Sequence, residues 1–138
     1  MKITIAGSMV FAKDILRIKN DLEKTGHSVL TTDDIDHYVR DNSIKNNFEE
    51  ELRLSKEYDI IRSFFNKIAE SDAMLIVNNE KKGISGYLGT NVIMEIGVAY
   101  FLKKKIFLLN PIDKNQPYTL EIAMINPLII NGDLSKIK

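Results

Sequence analysis

Cysteine is absent from the 138 residues, which removes disulfides, thiolate metal sites and cysteine nucleophiles together. A surplus of charge is absent too, since nineteen lysines and arginines face nineteen aspartates and glutamates. A domain that grips a nucleic-acid backbone without regard to sequence normally carries a basic excess, so no nucleic-acid partner is expected. No apolar run approaches the ~18 residues of a membrane span. The first residues, Met1-Lys2-Ile3-Thr4-Ile5-Ala6-Gly7, go straight into apolar alternation and lack the apolar stretch of a secretory leader. A soluble, cytoplasmic protein with no membrane partner is expected. His27 and His37 are isolated, and neither HExxH nor any paired-histidine spacing occurs, so no metal and no cofactor are expected. The phosphate fingerprints GxGxxG and GxxxxGK(S/T) are missing as well, which leaves a Rossmann dinucleotide site or a P-loop without support.

What is present is the makings of one ordinary domain over residues 1–138. Hydrophobic residues at 44% and charged residues at 28% are globular values and exclude a disordered tail. Five short apolar runs alternate with helical stretches. Lys2 to Ala6, His27 to Thr32, Ala73 to Val77, Ile106 to Asn110 and Leu128 to Ile130 read as strands. Between the first two, Ile15, Leu16, Ile18 and Leu22 recur among charged residues at helical spacing, and Gly26 stops that helix. Ile60, Ile61, Phe64, Phe65, Ile68 and Ala69 form a second periodic face, Thr90 to Leu102 a third helix and Tyr118 to Met124 a short fourth. This order predicts a doubly wound, three-layer α/β sandwich on a largely parallel five-stranded sheet, with the flavodoxin-like strand order 2-1-3-4-5. Residues 33–59 hold nine acidic and four basic residues and few large apolar ones. They read first as a solvated surface segment and second as a cover over a site.

In such folds ligands sit beyond the carboxyl ends of the strands, at the switch point. That rule gathers Gly7-Ser8-Met9, Asn78-Asn79 and the loop Gly83-Ile84-Ser85-Gly86-Tyr87-Leu88-Gly89-Thr90-Asn91 around one crevice. Ser8 reads equally as an anion-binding backbone turn or as a helix cap. Glu95 is the anomaly. It is the only charged residue in Val92–Leu102, a stretch apolar nearly all round, as a buried helix would be, with Val92, Val98 and Ala99 as its helical neighbours. An unpaired carboxylate there is costly unless it has a partner, opens on a pocket or keeps its proton. Two roles are open: nucleophile or general base beside the crevice, or a carboxylate bonded to the backbone of the glycine loop, holding its shape. Asp72 reads as a cap or ion-pair residue, Glu121 as surface, and Lys103-Lys104-Lys105 as the basic end of a helix.

The succession of strand, Gly7-Ser8 and helix, then Ser71-Asp72 before a buried strand, then a glycine-rich loop leading into Glu95-Ile96-Gly97-Val98-Ala99, resembles the nucleoside 2-deoxyribosyltransferase-like superfamily and its deoxynucleotide N-hydrolases. The resemblance implies a single domain of that kind with a flavodoxin-like core and no cofactor. It also implies a nucleoside or nucleotide as the small-molecule partner, and a homodimer or larger homo-oligomer with sites near subunit interfaces. It makes Glu95 the nucleophile that takes the sugar from the base, and sets Gly7 and Ser8 against the sugar or its 5′-phosphate. Met9, Asn78, Gly86, Tyr87, Gly89 and Asn91 would complete the substrate site. The chain departs from the family pattern at Thr4, where the enzymes carry tyrosine, and at Phe64, where they carry aspartate. It departs again at Val10, in the place of a phosphate-binding arginine; Asp59 lies about one helical turn from the missing aspartate. A hydrolase or transferase is therefore the first reading. A nucleotide-binding module without catalysis is the second, and a purely structural interaction protein the last.

Overall fold

Residues 73–77 are apolar without interruption, and burial on both faces is what such a run requires. The computed structural model describes residues 1–138. β1 (Lys2–Ala6) and β3 (Ala73–Ile76) pair in parallel at the centre, with Ile3 opposite Ala73 and Ala6 opposite Ile76. β2 (Ser28–Leu30) lies outside β1, while β4 (Lys105–Leu108) and β5 (Leu128–Ile129) follow β3. The order is β2-β1-β3-β4-β5 and every pairing is parallel, the flavodoxin-like arrangement expected. Strand alternation divides β3 between two cores. Ala73 and Leu75 face one layer, and Met74 and Ile76 face the other.

The first layer is α1 (Ala12–Lys24), which buries Ile15, Ile18 and Leu22 and ends at Gly26 with φ of +97°. Leu134 and Ile137 close the same side. The second layer carries α4 (Ile60–Glu70), α5 (Thr90–Phe101) and α6 (Thr119–Ile125), with Phe64, Ile68, Val92, Ile96 and Ile122 directed inward. The reading of α5 as a buried helix needs correction on its outer side. Met94, Tyr100 and Phe101 face solvent there, Phe101 with 83% of its surface exposed.

Residues 33–59 are largely exposed, as the surface reading expects, yet most of them are helical and a few are buried. They form α2 (Ile35–Arg40), a 3-10 turn at Asn42–Asn46 and α3 (Phe48–Glu57). Sparse but well-spaced apolar residues anchor them, with Ile35, Tyr38 and Leu54 all buried. Asn47 caps α3 by accepting from the Glu50 N–H at 3.1 Å. Glu49, Glu50 and Glu51 occupy its first turn, where the helix dipole favours negative charge. Arg53 ties Glu50 and Glu57 together on the outer face. This cap stands over the carboxyl ends of the central strands. No helix is long and apolar enough to cross a membrane.

Candidate active site

β1 leads to its neighbour on one side through α1, whereas β3 leads to its neighbour on the other side through α5. The divergence opens a crevice between the two strand ends. Here it is a cleft of about 320 Å³, within the size range of small-molecule sites. Its floor is the end of β1 and the turn Gly7-Ser8-Met9. Gly7 is required by close approach, since a Cβ there would stand 2.8 Å from the Val77 carbonyl oxygen. Of the two roles considered for Ser8, the structure shows the cap. Its Oγ accepts weakly from the Val10 N–H at 3.4 Å, capping the 3-10 turn Met9–Phe11, and it also lines the cleft.

The α5 side contributes Tyr87, Gly89, Thr90, Asn91, Val92 and Glu95. Glu95 is half-buried, lines the cleft, and makes neither a hydrogen bond nor an ion pair. Burial alone pushes its carboxyl up to about 8. The dipole at the start of α5 pulls the other way, but no donor reaches the carboxylate to help. The loop-holding role considered for Glu95 is therefore not the one the structure gives it. Gln116 fixes the glycine loop instead: its Nε2 donates to the Gly86 carbonyl at 2.9 Å, and its Oε1 accepts from the Leu88 N–H at 3.1 Å. Tyr118 adds a hydroxyl bond to the Leu88 carbonyl.

The cap supplies the remaining wall. Asp34, Tyr38, Lys45, Glu51 and Ser55 all face the cleft. The Tyr38 hydroxyl donates to Glu51 at 3.1 Å, and burial, reinforced by the Glu51 charge, raises its pKa. Lys45 Nζ stands 3.4 Å from the same carboxylate. Asp34 is buried, accepts from the Thr32 hydroxyl at 2.8 Å, and has its pKa raised by that burial. Across from them Lys81 reaches Ser8 Oγ at 3.4 Å with its ammonium 4.7 Å above the Tyr87 ring. Burial, then the charges of Lys45 and Lys82, lower its pKa. The cleft is thus cationic along the β1 turn and acidic at Glu95 and Asp34.

Of the residues singled out from the sequence, Gly7, Ser8, Met9, Tyr87, Gly89, Asn91 and Glu95 meet at this cleft. Asn78 and Gly86 do not line it. The fully buried Asn78 amide donates to the Asn110 carbonyl at 2.7 Å and accepts from its N–H at 2.9 Å, locking the ends of β3 and β4 together. Gly86 lies against Pro111 on the far side of the loop. At the positions where the resembled enzymes carry tyrosine and aspartate, this chain offers no equivalent group. Thr4 is buried against Ser71 at 2.6 Å, Phe64 forms an apolar patch of cleft wall, and Asp59 pairs with Arg62 in solvent. Asp72 accepts from the Lys2 N–H at 2.8 Å, a structural role as expected, and Glu121 is exposed away from the cleft. His27 contacts the N-terminal amine and His37 the Tyr58 hydroxyl, on separate elements. Sequence reading missed the cap residues and Gln116. The one available signal was the helical spacing of Ile35 and Tyr38, diluted by surrounding charge.

No protein-family model matches the chain, and no curated protein matches it. Among solved structures it is similar to the Clostridium botulinum CMP N-glycosidase BcmB, with a TM-score of 0.52 over 94% of this chain and 85% of that one. At 16% identity the likeness is one of fold: a parallel α/β sandwich shared with a nucleotide N-glycosidase.

Proposed function

We propose that this protein cleaves the N-glycosidic bond of a nucleoside or nucleoside 5′-monophosphate, with Glu95 as nucleophile. The observation that carries the reading is the Glu95 carboxyl, half-buried in the cleft with no partner of its own. A carboxylate desolvated and unpaired in this way is reactive toward an electron-poor anomeric carbon once ionised. Gly7, Ser8 and Met9 hold the sugar against the floor. Lys81 and Lys45 give an anionic 5′-group its counter-charge, and Tyr87, Gly89 and Asn91 shape the wall beside Glu95. Water resolves the glycosyl-enzyme in a hydrolase and a second base does so in a transferase. The CMP N-glycosidase likeness agrees with this chemistry. The test is a panel of ribo- and deoxyribonucleosides with their 5′-monophosphates, scored for released base. Wild type releases base from at least one class and Glu95→Ala from none; equal inertness of both across the panel defeats the reading. Lys81→Ala raises KM about tenfold for a monophosphate, the loss of one charge-assisted contact, and leaves the matching nucleoside unchanged.

One observation favours a binding module without turnover, namely the apolar Phe64 wall where the resembled enzymes carry an acid. In that case nucleotides raise the melting temperature with concentration while no base appears.

The site's setting also supports a homodimer. The outer faces of α4, α5 and α6 expose Ile61, Met94, Phe101, Leu120 and Met124. Such side chains total several hundred Å², approaching the ~800 Å² that one partner gives to a standard interface. Because α5 also carries Asn91 and Glu95, a partner seated there lies beside the cleft. Phe101→Glu shifts the sedimentation profile from dimer to monomer, and a monomeric wild type removes this proposal.

A further inference from the structure

We propose that Asp34 is the acid that protonates the departing base, a role resting on the glycosidase reading above. Strand order puts the two carboxyls on opposite sides of the β1 turn. Asp34 follows β2, on one flank of β1, and Glu95 reaches in from α5, above β3 and β4 on the other. A nucleotide with its sugar on Gly7-Ser8-Met9 lies between them. Asp34 occupies the N-cap position of α2, yet its side chain makes no capping bond. Only 3% of the residue is exposed, and Thr32 Oγ1 is the one side chain bonded to it, at Oδ1. Apart from that hydroxyl only its own backbone N–H bonds the carboxyl, no other residue claims it, and Asp34 lines the cleft.

No other carboxyl near the cleft is as well suited, and the Lys81 and Lys45 ammonium groups are assigned above to an anionic 5′-group. Phe64 has no proton to give, and Asp59 is turned to solvent with Arg62. Glu51 is occupied by the Tyr38 hydroxyl and the Lys45 ammonium. Tyr38 holds its own proton more firmly than a free phenol. The charged groups around Asp34 nearly offset one another. Asp33 favours the protonated form but is itself neutralised by Lys67 at 2.7 Å, and His37 favours the ionised form. Burial leaves Asp34 raised and able to hold a proton.

The step balances. A Glu95 oxygen bonds to C1′ as the C1′–N bond breaks, and the bond's electron pair leaves with the base, which takes the Asp34 proton. Water then adds its oxygen to C1′ and gives one proton to Asp34, and the ester C–O bond breaks to restore the Glu95 carboxylate. One water is consumed. The reactive state needs Glu95 ionised and Asp34 protonated.

Leaving-group dependence separates this role from a structural one. On the natural nucleotide, Asp34→Asn lowers kcat by about 10²–10⁴, the range of general acid catalysis. On the corresponding 4-nitrophenyl glycoside, whose nitrophenolate departs unprotonated, the same variant stays within about threefold of wild type, which also establishes that it is folded. Wild type needs no substitution for a second check. Its kcat/KM on the natural substrate falls above about pH 8, where ionising Glu95 no longer offsets loss of the Asp34 proton. On the nitrophenyl substrate it rises to about pH 8 and stays level. Equal losses on both substrates, no loss on either, or identical wild-type pH profiles overturn the assignment to Asp34 while leaving the glycosidase standing. Wild type inert on both substrates overturns the glycosidase reading itself, and this inference with it.

Discussion

Glu95→Gln eliminates base release, by roughly 10³-fold or more as loss of a nucleophile does, and at the same time makes the protein more stable in alkali. Both effects come from one desolvated group. The carboxyl titrates near its ordinary value of 4.5 when the chain is unfolded and at about 8 when folded. Between these values the native state holds a proton that the unfolded state has lost, so stability falls as pH rises through that window. Glutamine cannot ionise, and its stability carries no such slope. At pH 9 the variant exceeds wild type by about 2–3 kcal/mol, after discounting the full shift for the group's partial exposure. That is a rise of roughly 5–10 °C in Tm for a chain of this size. Below pH 4.5 the two proteins melt together. Thermal melts of both from pH 4 to 9 decide the matter, and parallel curves across the range mean that Glu95 is well solvated and not the poised group described above.

Gly86→Ala destabilises by about 3 kcal/mol or more, combining the strain of a left-handed residue with overpacking. Gly86 has φ of +64°, and a Cβ built there would fall 2.0 Å from the Pro111 carbonyl oxygen and 2.7 Å from Ile112 Cα. Those obstacles are backbone and cannot swing aside. Gly83 supplies the internal control, with φ of +77° and nothing within 4 Å of an added Cβ. Gly83→Ala carries the conformational cost alone, ~1 kcal/mol. Urea denaturation of the two variants measures the difference, and equal midpoints would refute the clash. Because Gln116 holds the Gly86 carbonyl, the displaced loop also shifts Tyr87 and lowers affinity for any ligand of the cleft.

The parts of the molecule legible beforehand are those dictated by local pattern. The continuous apolar run at 73–77 read as a strand covered on both faces, and setting it beside the run at 2–6 located the crevice. Glu95 stood out because its helical neighbours offered it nothing. The solvent side of α5 was misjudged because an all-apolar helix reads alike whether or not another layer of the fold covers its outer face. Asn78 was placed on the cleft by its position after β3, whereas Asn110, thirty-two residues away, captures its amide. Asp34 and the other cap residues escaped notice for the same reason. Long-range contacts give them their meaning, and two or three apolar residues per helix are too few to announce burial amid so many charges.

The cap has an engineering consequence. Residues 35–57 form one uninterrupted stretch of chain, entering after β2 and leaving before α4, and none of them belongs to the sheet. Beyond its buried apolar anchors, this stretch is held to the β1 turn by the Asn42 amide, which donates to the Met9 carbonyl at 3.0 Å. Tyr38, Lys45, Glu51 and Ser55 all travel with it, while Glu95 and the Gly7–Met9 turn stay behind. Grafting a foreign stretch of equal length that keeps Ile35, Leu54 and Asn42 would change the lining of the cleft and leave the Glu95 carboxyl untouched.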